Sequence, residues 1–174
     1  MSPSSGIVID TNVWGVAEGL HEGASDECVA ACLSLLSQVA GGRVVIVDAD
    51  DLILSECLRT LRSAGKAGLA VKLAGRLWKT RHSSKSCRAV SITAIDDPPG
   101  SFAEVPESVR DFDIDDQKFF AVAIGSGDTP PVFQALDQEW WERRVDLNAA
   151  GVDVQYLCVS DLMAKEGNEK EGNE

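Results

Sequence analysis

The sequence predicts an α/β domain in which a parallel sheet is covered by helices on both faces. Short apolar runs typical of buried strands alternate with segments whose apolar residues recur at helical spacing. Apolar residues make up 44% of the 174 residues and charged residues 25%, which is ordinary for a globular domain with a core. We therefore expect one domain over residues 1–163 and a disordered acidic tail over residues 164–174.

The predicted elements follow one another along the chain. Residues 6–10 form an apolar run that ends in a carboxylate, as a buried parallel strand would. The next helix runs from Asp26, a candidate cap, to Ala40, where two glycines end it. The later elements are a strand over 44–47, two helices within 50–80, a strand over 89–93, a helix over 116–125, and strands over 131–136 and 152–158.

Charge is distributed unevenly along this acidic chain. With 16 basic and 28 acidic side chains the formal net charge is −12, so the whole molecule should not attract nucleic acid. Between Cys57 and Ile95, however, there is no acidic residue, and nine of the basic residues lie there. The sequence thus predicts one basic face, and the alternative is a set of solvated helix faces that happen to be basic.

The cysteines and the apolar runs bear on the compartment. Five cysteines, an odd number without repeated close spacing, predict no disulfide framework, although Cys28 and Cys32 would share a buried helix face. No apolar run approaches the ~20 residues of a membrane span, and the first five residues lack the features of a secretory signal. We expect a cytoplasmic protein that does not contact membranes.

Four carboxylates stand where predicted strands end or helices lie. Asp10 ends the first strand and Asp137 follows the fourth, while Asp116 begins a helix and Glu56 lies inside another. Ligands bind at the carboxyl ends of strands in open parallel sheets, so these acids should converge. Like charges at close range need compensation, for which Mg²⁺ or Mn²⁺ is usual. Such an ion can activate water and stabilise the oxygens of a phosphoryl displacement.

Each acid also has a purely structural interpretation. Asp10 and Asp116 could cap the helices that follow them, and Asp137 could be a turn residue. Glu56 could pair with an arginine of its own helix. The arrangement of the four relative to the strands, rather than any one acid, favours a site.

The order of these acids resembles that of the PIN-domain ribonucleases over residues 6–158. Residues 7–12, Ile-Val-Ile-Asp-Thr-Asn, are similar to the opening strand and acidic motif of the family, and Glu56, Asp116 and Asp137 resemble its later acids. The resemblance implies a three-layer sandwich with a central five-stranded parallel sheet, divalent-metal-dependent RNA cleavage and commonly a homodimer. Many relatives are toxins of bacterial toxin–antitoxin pairs, so a protein antitoxin is a further expected partner.

The resemblance gives each candidate residue a role. The expected catalytic residues, which would also bind one or two Mg²⁺ or Mn²⁺ ions, are Asp10, Glu56, Asp116 and Asp137. The residues expected to support them are Thr11 and Asn12, which would orient a water or a carboxylate by hydrogen bonding, and the neighbouring acids Asp113 and Glu139. The residues of the basic stretch expected to contact RNA phosphates are Arg76, Lys79 and Arg81.

Two positions depart from the family pattern. Ala135 stands where the family often has Thr or Ser, and Glu139 where it often has a second Asp. The first departure keeps open a catalytically degenerate module that binds RNA or protein without cutting. A magnesium-dependent phosphatase is a further alternative, but that class commonly needs an acid two residues after its first Asp. Asn12 occupies that position and cannot perform general acid–base chemistry.

Overall fold

The computed structural model describes residues 6–65, 67–83 and 85–171, with side chains as far as residue 168. Its strands are β1 (Val8–Ile9), β2 (Val45–Asp48), β3 (Cys87–Val90), β4 (Ala94–Asp96), β5 (Pro99–Phe102), β6 (Val132–Gln134) and β7 (Val154–Tyr156). Its helices are α1 (Thr11–Ala17), α2 (Asp26–Ala40), α3 (Leu52–Leu61), α4 (Leu69–Thr80), α5 (Gln117–Gly125), α6 (Gln138–Glu142), α7 (Arg144–Ala149) and α8 (Val159–Glu171). The α/β class is confirmed.

The strands of the described ranges form three small sheets, so the prediction of a central five-stranded parallel sheet is wrong. One sheet has three parallel strands in the order β1-β6-β7, a second pairs β2 with β3 in parallel, and β4 and β5 form an antiparallel pair. The short β1 explains the difference. It meets β2 only through an isolated bridge between Ile7 and Val45, so no continuous ladder joins the two parallel sheets.

The junction between β1 and β2 is a close backbone approach. The Ile7 N–H donates to the Val44 carbonyl at 3.0 Å, and the Ile46 N–H donates to the Ile7 carbonyl at 2.7 Å. A Cβ atom at Gly6 would lie 2.6 Å from Cγ1 of Ile46. A residue with a side chain at position 6 would have to displace Ile46, which favours glycine at this junction.

The helices with strong periodicity match the prediction better than the short ones. Helix α2 has the predicted bounds, although Ser25 rather than Asp26 caps it, since the Ser25 hydroxyl accepts from the Cys28 N–H at 3.1 Å. The prediction omitted α1, α6, α7 and the β4–β5 hairpin. These elements are too short for hydrophobic periodicity to identify them.

A disulfide joins the start of α2 to the residue before α8. It links Cys28 to Cys158 across 130 residues of sequence. The odd number and the spacing of the cysteines predicted no disulfide framework, and neither indicated this bond, whose cysteines meet only in the folded chain. Asp161 adds a second link, because its carboxylate accepts from the Ser25 N–H at 2.8 Å and from the Ser25 hydroxyl at 2.6 Å.

Helix α8 occupies most of the segment predicted to be a disordered tail. The helix continues through residues 164–171, while residues 172–174 lie outside the described residues. Tertiary contacts account for the difference, since Trp141 Nε1 donates to the Glu166 carboxylate at 3.1 Å. None of the helices in the described ranges is both long and apolar enough to cross a membrane.

Candidate functional site

The four predicted acids converge beyond the carboxyl ends of β1 and β6. Asp10 follows β1 directly, and Asp137 lies just beyond β6, the neighbouring strand of the same sheet. Burial raises the pKa of Asp10 well above its usual value, and the negative charges of Asp116, Asp137 and Glu56 raise it further. The other three carboxyl groups are therefore within electrostatic reach of Asp10. We call Asp10, Glu56, Asp116 and Asp137 the acidic cluster.

Asp10 and Asp116 are not helix caps. Each occupies the N-cap position of a helix, but neither side chain accepts a capping hydrogen bond from the described backbone. Asp116 instead accepts from Trp140 Nε1 at 2.8 Å. Burial raises its pKa to about 7, opposed by this hydrogen bond and reinforced by nearby acids. The capping interpretation therefore fails for both residues, and their carboxylates stay available for a ligand.

Trp140 connects two members of the cluster. Its backbone N–H donates to the Asp137 carboxylate at 3.2 Å, so Asp137 does cap helix α6. Its indole is buried, reaches Asp116, and packs on Phe120 with ring centroids 4.8 Å apart. The sequence offered the three-residue spacing of an N-cap as a signal for the first contact. The indole contact to Asp116 depends on tertiary packing and had no local signal.

Glu56 is held by two side chains from other elements. Thr11 Oγ1 donates to Oε1 at 2.7 Å, and Lys118 Nζ lies 2.5 Å from Oε2. The suggested pairing with an arginine of α3 does not occur among the described ion pairs. Lys118 is buried on α5. A lysine directly before two phenylalanines could have indicated, from sequence alone, a buried cation with an acidic partner. Part of the cluster's negative charge is thus already compensated.

The remaining predicted residues lie at the edge of the cluster. Asn12 Oδ1 accepts from the Ala135 N–H at 3.0 Å and so ties α1 to the segment after β6. Asp113 accepts from the Asp115 N–H at 3.0 Å within its own turn. Partial burial raises the pKa of Glu139, and the charges of Asp137 and Asp113 contribute to this increase. Asp113 and Glu139 therefore add negative charge beside the acidic cluster.

The donor set of the acidic cluster suits a hard divalent cation. The negative charges of the other three acids raise the pKa of Asp10, and that of Asp137 raises the pKa of Asp116, which is the electrostatic situation that Mg²⁺ or Mn²⁺ relieves. Among the described residues, the group whose potential metal-ligating atoms lie close together is a different one, the sulfurs of Cys28, Cys32 and Cys158, which lie within 4.8 Å of one another. Two of these sulfurs are joined in the disulfide, and burial raises the pKa of the Cys32 thiol to about 12. The cysteine group therefore does not offer the thiolates that a metal needs.

The three basic residues predicted to contact RNA have different surroundings. Arg76 directs its guanidinium to the Val39 and Ala40 carbonyls at 3.5 and 3.4 Å. Arg81 lies 2.9 Å from the Asp51 carboxylate and 4.1 Å above the Trp78 ring. Lys79 is exposed. The guanidinium groups of Arg76 and Arg81 thus already interact with groups of the protein itself.

Two cavities adjoin the acidic cluster on different sides. The larger, about 580 Å³, is lined by Asn12 and Asp137 together with residues of the α1–α2 connection and of α8. The smaller, about 290 Å³, is lined by Glu56, Lys118 and Arg59 among others. The cluster is therefore accessible to a ligand larger than a single ion.

Comparison with known proteins identifies no relative, since no protein-family model, no curated protein and no solved structure matches this chain.

Proposed function

We propose that this chain is a divalent-metal-dependent endoribonuclease of the PIN-domain type. The observation that carries the proposal is the convergence of four carboxylates from separate chain segments, at a cost visible in the raised pKa of Asp10 and Asp116. Groups held in such a costly arrangement beside a cavity are candidates for function rather than for stability. Bound Mg²⁺ or Mn²⁺ would supply charge stabilisation to a phosphoryl group undergoing displacement.

The chain's own residues would divide the work. Asp10, Asp116 and Asp137 would hold the ion, because none of them has a described cationic partner within ion-pair distance. Trp140 fixes the orientation of two of these carboxylates through its hydrogen bonds. Thr11 fixes one oxygen of Glu56, and Lys118 neutralises the other. A prearranged set of this kind loses little entropy when the ion binds.

Millimolar Mg²⁺ or Mn²⁺ is expected to raise the melting temperature more at pH 8 than at pH 5.5. Burial raises the pKa of Asp116 from 3.8 to about 7. Between those values the folded state retains a proton that the unfolded state has lost, so the metal-free protein loses stability as the pH rises. Above pH 7 the ion replaces the proton and restores stability, because it binds only the folded state.

Differential scanning fluorimetry at both pH values, with EDTA as the reversal control, measures this effect. No ion-dependent shift at pH 8 would contradict a formed site. An equal shift at both values would place the ion elsewhere.

The ion pair between Lys118 and Glu56 favours a second candidate, a non-catalytic RNA- or protein-binding module. In that case the ammonium group of Lys118 takes the place of a metal ion in the acidic cluster, and the parent chain cleaves no RNA. The nuclease proposal instead assigns Lys118 to charge compensation before the ion binds. The two candidates differ in the effect expected when this lysine loses its charge.

For the nuclease, Lys118→Met is expected to cost the metal-free protein on the order of 2 kcal/mol, since Glu56 loses its buried partner. Millimolar Mg²⁺ should recover most of that loss. Urea denaturation with and without Mg²⁺ measures it, with the exposed Lys85→Met as the matched control. If Mg²⁺ stabilises the variant but not the parent, the non-catalytic module is favoured.

The proposal extends to partners and location. RNA is the proposed substrate, a second copy of the chain the proposed oligomeric partner, and an antitoxin the partner if the protein is a toxin. A small neighbouring reading frame that encodes a DNA-binding protein would support the toxin assignment. A cytoplasmic location stays a prediction, and the Cys28–Cys158 bond weighs against it, because disulfides persist mainly in oxidising compartments.

A further inference from the structure

The larger cavity beside the acidic cluster is lined by side chains of both charges, with Lys165 as its cation. Asp137 and Asn12 form the side that adjoins the cluster, whereas His21 and Lys165 come from the α1–α2 connection and from α8. Lys165 is exposed and forms no salt bridge within the part of the chain whose side chains are described. Its ammonium group therefore remains available to an anion.

The charge of Lys165 reaches both sides of the cavity. Lys165 is within electrostatic reach of Asp137 and of His21. Desolvation lowers the pKa of His21 and the charge of Lys165 lowers it further, which favours the neutral imidazole, a group that can donate one hydrogen bond and accept another. Its Nε2 lies 3.0 Å from where a Cβ atom at Gly15 would be, so the ring rests against helix α1.

Helix α8 is fixed in place near the cavity by three links to other elements. These are the Cys28–Cys158 disulfide, the two hydrogen bonds between Ser25 and Asp161, and the hydrogen bond from Trp141 to Glu166. Asp161 and Glu166 are both on α8, the helix that carries Lys165. The backbone that carries Lys165 therefore has a defined position beside the cavity.

We propose that this cavity binds the phosphate group next to the scissile one on an RNA strand, with the Lys165 ammonium as its cation and His21 as a hydrogen-bond partner. This inference rests on the proposed function, since the scissile phosphate is placed at the acidic cluster. Two acids, Glu22 and Asp137, also line the cavity. Glu22 is exposed, and an ion held by the cluster would offset the charge of Asp137. The phosphate would therefore lie toward Lys165.

The test is equilibrium binding of a short single-stranded RNA in Mg²⁺ at several salt concentrations, measured by fluorescence anisotropy. All variants carry Asp10→Asn so that the RNA stays intact. Adding Lys165→Ala is expected to weaken binding several-fold and to reduce the slope of log affinity against log salt by about 0.7, the value for one lost phosphate contact on a single strand. Lys165→Arg should retain both affinity and slope, and Lys85→Ala controls for loss of a surface charge.

An unchanged affinity and slope in Lys165→Ala would overturn the inference, as would an equal loss in Lys85→Ala. RNA cleavage by the parent chain is measured separately. If the parent chain cleaves RNA and the Lys165→Ala variant binds RNA normally, the phosphate site is refuted and the nuclease proposal stands. If the Lys165→Ala variant binds RNA more weakly but the parent chain does not cleave RNA, phosphate binding in this cavity is supported and the nuclease proposal is refuted.

Discussion

Replacing Asp10 by Asn is expected to reduce metal-dependent RNA cleavage by at least ~100-fold. The substitution keeps the size of the side chain but removes the charge that an ion would bind, and Asp116→Asn should act in the same way. The stability of the metal-free protein should not fall, because each substitution removes a carboxyl group that is costly to ionise in the fold. Burial and the neighbouring acids raise the pKa of both carboxyl groups. Single-turnover cleavage in Mg²⁺ gives the rates, and urea denaturation gives the stability.

Asp26→Asn is the matched control for these two variants. Asp26 is an exposed acid in the first turn of α2, so the same chemical change there should leave the cleavage rate at the parental value. Cleavage by Asp10→Asn at the parental rate would contradict the assignment of the acidic cluster. A loss of cleavage that accompanies unfolding would show that the substitution acts on the fold.

Removing the disulfide through Cys28→Ser and Cys158→Ser is expected to lower the free energy of unfolding by about 5 kcal/mol. The bond closes a loop of 130 residues, and the entropy that this removes from the unfolded chain grows with the logarithm of loop length. Urea denaturation of the parent and the variant, each with and without a reducing agent, measures the effect. The reducing agent should destabilise the parent and leave the variant unchanged. Equal stability of the oxidised parent and the variant would contradict the prediction.

Sequence alone predicted the parts of the fold in which local pattern and tertiary structure agree. The long amphipathic helix α2 has the predicted bounds because its packing face repeats several times along 15 residues. Strand pairing is different, because it depends on hydrogen bonds between segments far apart in the chain. The two-residue β1 and its single bridge to β2 could not be inferred from the apolar run that contains them.

The site shows the same division. Asp10 and Asp137 could be predicted to meet because both follow parallel strands, whose carboxyl ends share one edge of a sheet. The contact of Lys118 with Glu56 joins α5 to α3 and depends on side-chain direction, which a local pattern does not specify. The basic stretch suggests free cations where the structure has ion pairs, for a related reason. Arg81 lies in an acid-free segment, yet its partner Asp51 precedes that segment and reaches it only in three dimensions.

The single bridge between Ile7 and Val45 gives the acidic cluster a mechanical role. Asp10 and Asp137 follow strands of one parallel sheet, whereas Glu56 lies on the helix that follows β2 of the other. The hydrogen bond from Thr11 to Glu56 therefore ties the helix that follows β1 to the helix that follows β2, across two sheets that the backbone joins at one bridge. A Cβ atom at position 6 would lie 2.6 Å from Cγ1 of Ile46, so a larger residue there would have to displace this side chain at the junction of the two sheets. Gly6 thus supports the alignment of the two segments that carry the cluster, although it lies outside the cluster.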